Sequence, residues 1–111
     1  MKAERQTASL PEVVFLRDLR GVRPENAVGI GEFWYEPKLW SLPLSPAAKV
    51  LYAGLCSFLG HGEIHREDLR ATLKDSSDEG IAEALEELVR NKLLEPASEA
   101  GPSGYAVRAI G

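Results

Sequence analysis

The sequence has only one cysteine among its 111 residues, Cys56, so it lacks the means to form an internal disulfide framework. It also has no run of the roughly 18 to 20 apolar residues that a membrane-spanning helix needs. The first ten residues, MKAERQTASL, lack the apolar stretch of a secretion signal. These absences predict a cytoplasmic protein with no membrane partner, and the length predicts one domain with a modest core.

An excess of positive charge is missing too, because 13 basic residues face 17 acidic ones and the net charge is −4. Domains dedicated to DNA tend to be basic, since neutralising phosphates supplies much of their affinity. All the excess acid lies in residues 45–96, which carry six basic and ten acidic side chains. Half of these acids fall in the helix-like stretch 77–94, SDEGIAEALEELVRNKLL. The charge pattern is therefore unfavourable for nucleic-acid binding by this stretch.

Catalytic and metal-binding motifs are also scarce. The sequence has no glycine-rich phosphate loop and no serine–histidine–carboxylate set. His61 and His65 of HGEIH span a helix end and a turn instead of one helical face, and no further histidine or cysteine joins them. Cys56 lies in an apolar helix, where a small core residue is expected. We therefore expect no enzyme activity, no metal site and no cofactor.

The N-terminal part is expected to be extended. β-Branched and aromatic residues predict a strand at 12–19, and glycine, proline and asparagine predict a turn at 20–31. The aromatic segment 32–40 reads as extended again, so we expect a strand pair that leads into the domain. We assign residues 1–31 to an N-terminal extension with a strand, and residues 32–111 to the domain.

A first helix is predicted within 44–62, LSPAAKVLYAGLCSFLGHG. Ser45 is a good N-cap, and Gly60 and Gly62 are expected to end the helix. Lys49 is its only charged residue, and a helix that is apolar nearly all round is usually buried on more than one side. Either the N-terminal segment or another subunit is expected to cover its second face.

Two further helices and a hairpin follow. Inward leucines predict a helix over 66–73, on which the basic residues form one stripe: Arg66, Arg70 and Lys74. Ser77 is expected to cap a third helix that ends near Asn91. Its apolar positions have helical spacing: Ile81, Ala84, Leu85, Leu88 and Val89. Strands at 93–97 and 105–110 then predict a β-hairpin.

This order of elements, and the stretch REDLRATLKDSSDEGIAEALEELVRNKLLEP, resemble the winged helix-turn-helix family over about residues 44–110. The preceding FWYEPKLWSLPLSPAAKVLYAGL is similar to the lead-in of DnaD-type, phage and plasmid replication-initiation proteins and of related transcription regulators. The resemblance implies an α+β fold with three helices, a C-terminal β-hairpin wing and an N-terminal β extension. It also implies a dimeric DNA-binding protein whose third helix enters the major groove.

The third helix departs from that implication, because its expected outer face is acidic: Asp78, Glu79, Ala82, Glu83, Glu86, Glu87 and Arg90. Phosphates repel such a face, and groove-reading helices normally present basic or amide side chains. If a dimer of the chain binds duplex DNA, we expect mainly phosphate contacts from Arg66, Arg70, Lys74, Arg90 and Arg108. The N-terminal extension would add Arg17, Arg20 and Arg23.

The alternative hypothesis is an interaction or oligomerisation module that does not bind DNA. In this case the acidic helix 78–91 would bind a basic protein partner. A subunit interface would come from the first helix and the aromatic lead-in, with the candidate residues Trp34, Tyr35, Trp40 and Tyr52. Both hypotheses predict a homodimer.

Overall fold

A computed structural model of the protein describes residues 10–31, 33–97 and 104–110, and their fold is α+β, as predicted. The strands are β1 (Val13–Leu19), β2 (Val28–Ile30), β3 (Phe33–Tyr35), β4 (Glu63–His65), β5 (Leu94–Pro96) and β6 (Gly104–Arg108). The helices are α1 (Pro46–Ser57), α2 (Arg66–Thr72) and α3 (Asp78–Arg90). None of the helices in these ranges has the length and apolar character to cross a membrane.

The strand predicted at 12–19 is confirmed, and it lies inside the main sheet, whose strand order is β4-β1-β6-β5. β1 runs antiparallel to β4 and parallel to β6, and β5 and β6 form the predicted antiparallel pair. Val14 and Leu16 of β1 point into the core, whereas Phe15 and Arg17 between and after them are exposed. This alternation is typical of a sheet that has helices on one face. The segment assigned to the N-terminal extension thus shares one sheet and one core with the helices.

The expected pairing of 12–19 with the aromatic segment is wrong. β3 pairs with β2 in a separate two-stranded sheet, where Val28 lies opposite Tyr35 and Ile30 opposite Phe33. β2 lies in a segment whose glycines predict only a turn. Gly29 has a φ of 130° in this strand, and a Cβ added there would lie 2.0 Å from the Phe33 carbonyl oxygen. Glycine is therefore required inside the strand, where its presence was a signal for a turn.

α1 is covered on more than one side, as its composition predicts. Its cap is confirmed, because the backbone N–H of Ala48 donates to Ser45 Oγ at 3.1 Å. β3 packs against the helix, so residues that follow the N-terminal extension cover a further face of α1. The helix ends at Ser57, earlier than its glycines predict, because residues Leu59–His61 tighten into a 3-10 turn.

The predictions for α2 and α3 are confirmed. Leu69 and Leu73 are buried, and the N–H of Gly80 donates to the capping Ser77 Oγ at 3.1 Å. α3 ends at a C-cap formed by Asn91, as expected. The hairpin that follows is described in its two strands, and its tip, residues 98–103, lies outside the described residues.

Candidate interaction surfaces

The outward side of α3 is a narrow charged surface, the α3 stripe, formed by Glu79, Glu83, Glu86 and Arg90. Each of these exposed residues lies three or four positions after the one before it, so all four share one side of the helix. The opposite side is buried and consists of Ile81, Ala84, Leu85 and Leu88. Asp78, Ala82 and Glu87 were expected on the outer face as well, but they are half-buried. Fewer acids are therefore exposed than the helical spacing alone predicts.

Asp78 is withdrawn from the α3 stripe by an ion pair with Arg70 of α2. The guanidinium donates from Nε to Asp78 Oδ1 at 3.0 Å and from Nη2 to Oδ2 at 2.7 Å. This two-point hydrogen bond lowers the pKa of Asp78 and raises the pKa of Arg70. One acid of the predicted acidic face and one cation of the predicted basic stripe thus neutralise each other, and Arg70 would have to share or break this exposed ion pair to bind a phosphate.

Glu87 is not available on the outer side of α3 either, because it is bound to the N-cap residue of α1. The backbone N–H of Ser45 donates to Glu87 Oε2 at 2.8 Å, and Ser45 Oγ donates to Oε1 at 2.8 Å. The hydrogen bond from the Ser45 backbone N–H has the larger effect in lowering the pKa of Glu87, and the bond from the Ser45 hydroxyl lowers it further. The sequence carries no local signal for this contact, because the two residues are 42 positions apart. It joins α3 to the start of α1.

Three of the expected DNA contacts, Arg66, Arg70 and Arg108, line two different depressions. An open depression at the start of α2 is lined by Glu12, His65, Arg66, Glu67 and Arg70. Arg108 borders a different depression, between the end of α3 and β5, and its Nη1 lies 3.4 Å from Glu95 Oε1. Among the described residues, Arg66, Lys74 and Arg90 form no ion pair within 4.0 Å. These three keep their charge available for a partner.

Arg20 was expected to be an accessible cation, and this prediction is wrong because only 6% of the residue is exposed. Its Nε and Nη2 donate to the two Asp18 carboxylate oxygens at 2.9 and 3.0 Å, and Nη1 donates to the Trp34 carbonyl. The guanidinium also lies 3.7 Å from the Trp34 ring centroid, a cation–π contact. Its hydrogen bond to Asp18 lowers the pKa of that carboxyl. Arg20 therefore links the end of β1 to β3 internally.

The four aromatic interface candidates divide into two buried and two accessible residues. Trp34 packs against Arg20, and Tyr52 lies in the core, where its hydroxyl donates to the Arg108 carbonyl at 2.5 Å. Both are thus occupied within the chain, so neither is available to a second subunit. Tyr35 and Trp40 form an edge-to-face pair with ring centroids 5.8 Å apart, and Trp40 is 45% exposed.

An apolar surface that the sequence did not predict lies on the β2–β3 sheet. Strand alternation and register put four of its side chains on one side, and Trp40 extends them beside Tyr35. We call this surface the hairpin face: Val28, Ile30, Phe33, Tyr35 and Trp40. Ile30 is 82% exposed. A usable signal existed, because β-branched and aromatic residues in VGI and FWY stand on either side of Gly31.

The histidines and the cysteine form no reactive cluster in the described ranges. No group of three or more His, Cys, Asp or Glu residues there is arranged to hold a metal ion. His65 is the N-cap residue of α2, and its backbone N–H donates to Asp68 Oδ2 at 3.2 Å. Cys56 is buried, as predicted, and burial raises the pKa of its thiol to about 11.

Comparison with family models, with curated proteins and with solved structures finds no match for this chain.

Proposed function

We propose that this chain is a winged-helix protein-interaction module whose α3 stripe binds a basic protein partner. The order α1, β4, α2, α3 and the β5–β6 hairpin supports the winged-helix assignment, and β1 is an added strand of that frame. The observation that supports this function is the set of charged side chains that stay exposed on α3, given that Asp78 and Glu87 are bound to other elements of the chain. Three glutamates and one arginine stay exposed in one line.

The charge of the α3 stripe selects the sign of its partner. Each exposed charge pair contributes little to affinity alone, but several carboxylates in a row attract a positive surface and speed its encounter. The same row repels the phosphates of a duplex laid along α3. A lysine- or arginine-rich helix or tail is therefore the partner chemistry that this surface suits best.

The test is a binding titration of the chain against a labelled lysine- and arginine-rich peptide and, separately, against a labelled duplex at about 50 mM salt. The variant Glu79→Gln/Glu83→Gln/Glu86→Gln should lose at least about tenfold in affinity for the peptide. The matched control neutralises three exposed acids elsewhere, namely Glu12→Gln/Glu25→Gln/Glu67→Gln. Equal losses in both variants would trace the binding to net charge and refute a role for the α3 stripe.

A second candidate function is DNA association in replication initiation or transcription regulation, by phosphate contacts of a dimer. It is supported by Arg66, Lys74 and Arg90, whose charges are not taken by an ion pair in the described part of the chain. The duplex arm of the same titration separates the two functions, because neutralising the α3 stripe should strengthen duplex binding while it weakens peptide binding. Absence of duplex binding by the unmodified chain would eliminate this second function.

A further inference from the structure

The hairpin face is an uncharged surface with large exposed side chains. Ile30 is 82% exposed, and Val28, Phe33 and Trp40 are each exposed by almost half. Together they expose roughly several hundred Å² of contiguous apolar side chain, about the size of the largest patch on a typical monomer. Phe33 packs against His61, with ring centroids 5.7 Å apart, so part of this surface is held in place. A soluble protein gains from covering such a surface.

The free edge of β2 is closed to another strand. β2 has β3 as its neighbour on one side, and Arg23 lies along the other. The guanidinium donates to the carbonyls of Gly29 at 2.8 Å and Gly31 at 3.4 Å. An incoming strand would need that backbone edge, so this arginine blocks strand addition. A partner must therefore contact the side chains of the hairpin face and not the backbone of β2.

We propose that the occupant of the hairpin face is a second copy of this chain, packed face to face around a twofold axis. In such an arrangement each residue meets the same patch on the partner, so a surface with any net charge would repel itself. The hairpin face contains no charged residue. The α3 stripe, with three glutamates and one arginine, is unsuitable for this symmetry.

The size of the hairpin face limits the strength of the dimer. A standard interface buries about 800 Å² on each partner, and this surface offers less. We therefore expect a weak dimer, in which monomer and dimer exchange with concentration. The dimer would carry two copies of the α3 stripe, but its formation does not depend on the function of that stripe.

Sedimentation equilibrium of the full chain over a wide concentration range tests the proposal. The mass should rise from that of the 12.1 kDa monomer towards twice that value. Ile30→Glu should raise the dissociation constant at least about tenfold, because it places two carboxylates at the contact. The matched control is Val22→Glu, which replaces a side chain that is 93% exposed but lies outside the hairpin face, and it should leave the constant unchanged.

Two results would overturn the proposal. One is a mass that stays monomeric at every concentration, which would leave the hairpin face to a different protein. The other is a dimer that Ile30→Glu and Val22→Glu weaken equally. Circular dichroism should show that both variants remain folded, since both positions are highly exposed.

Discussion

The α3 stripe and the hairpin face are two exposed surfaces with different origins. The first is determined by residues close together in the sequence, and the second by a contact between distant segments. The α3 stripe follows from neighbouring residues, namely a serine cap and helical spacing, although two of its expected acids bind distant partners. The hairpin face is held by Arg20, which reaches from the end of β1 to Trp34. The local pattern therefore determines which side chains point outward, whereas contacts with other elements determine which of them are free to bind.

The largest change in stability is expected from removing the side chain that holds the β2–β3 hairpin in place. Arg20→Met keeps an apolar stem but removes the guanidinium from Asp18 and Trp34. The free energy of unfolding should fall by about 1 to 3 kcal/mol, because the buried Trp34 carbonyl loses its hydrogen-bond donor and the cation–π contact is lost. Urea denaturation measures the loss. Arg90→Met, at an exposed arginine that forms no ion pair within 4.0 Å in the described part of the chain, should change stability much less. An equal loss would contradict the role given to Arg20.

A smaller effect is expected where α3 joins α1. Glu87→Gln leaves the hydrogen bonds to Ser45 without a charged acceptor, and the free energy of unfolding should fall by about 1 kcal/mol at neutral pH. The neighbouring Glu86→Gln is the matched control, because Glu86 lies on the α3 stripe and should be close to neutral in stability. If both substitutions cost the same, the Ser45 contact does not stabilise the fold.

The same contact predicts the direction of a pH dependence. Its hydrogen bonds hold the folded pKa of Glu87 below the unfolded value, about 4.3 for glutamate. The stabilisation is therefore fully present above that value and is lost as the pH falls through the folded pKa. The difference in stability between the unmodified chain and Glu87→Gln should shrink over this acid range.

The smallest change in stability is expected from opening the free edge of β2. Arg23→Ala removes an exposed side chain and should alter the free energy of unfolding by only a few tenths of a kcal/mol. Its effect should appear in association instead, because the carbonyls of Gly29 and Gly31 become free for another strand. Sedimentation velocity should then show species larger than a dimer. Arg23→Lys, which keeps the charge, should form fewer of them, and unchanged association in Arg23→Ala would refute the blocking role.

Much of the fold was predictable because its signals are local. Ser45 and Ser77 can be recognised as helix caps from the residues that follow them. Leu69, Ile81 and Leu88 have helical spacing and are buried in the core. The candidate site was less predictable, because an arginine has the same appearance in the sequence whether it is surrounded by solvent or bound to a carboxylate of the same chain. Arg70 and Glu87 were placed correctly on their helices, and Arg20 directly after the first strand. Their contacts with Asp78, Ser45 and Trp34 nevertheless join different elements, and no local pattern predicts them.

The position of β1 between β4 and β6 has a consequence for how the chain folds. β1 pairs with a strand that comes much later in the sequence, since Phe15 lies opposite Gly104. Contacts between such distant segments slow folding, because a long loop must close before the contacts stabilise it. Until β6 has been made, one edge of β1 therefore has no neighbour in this sheet, and the backbone groups along that edge stay unpaired.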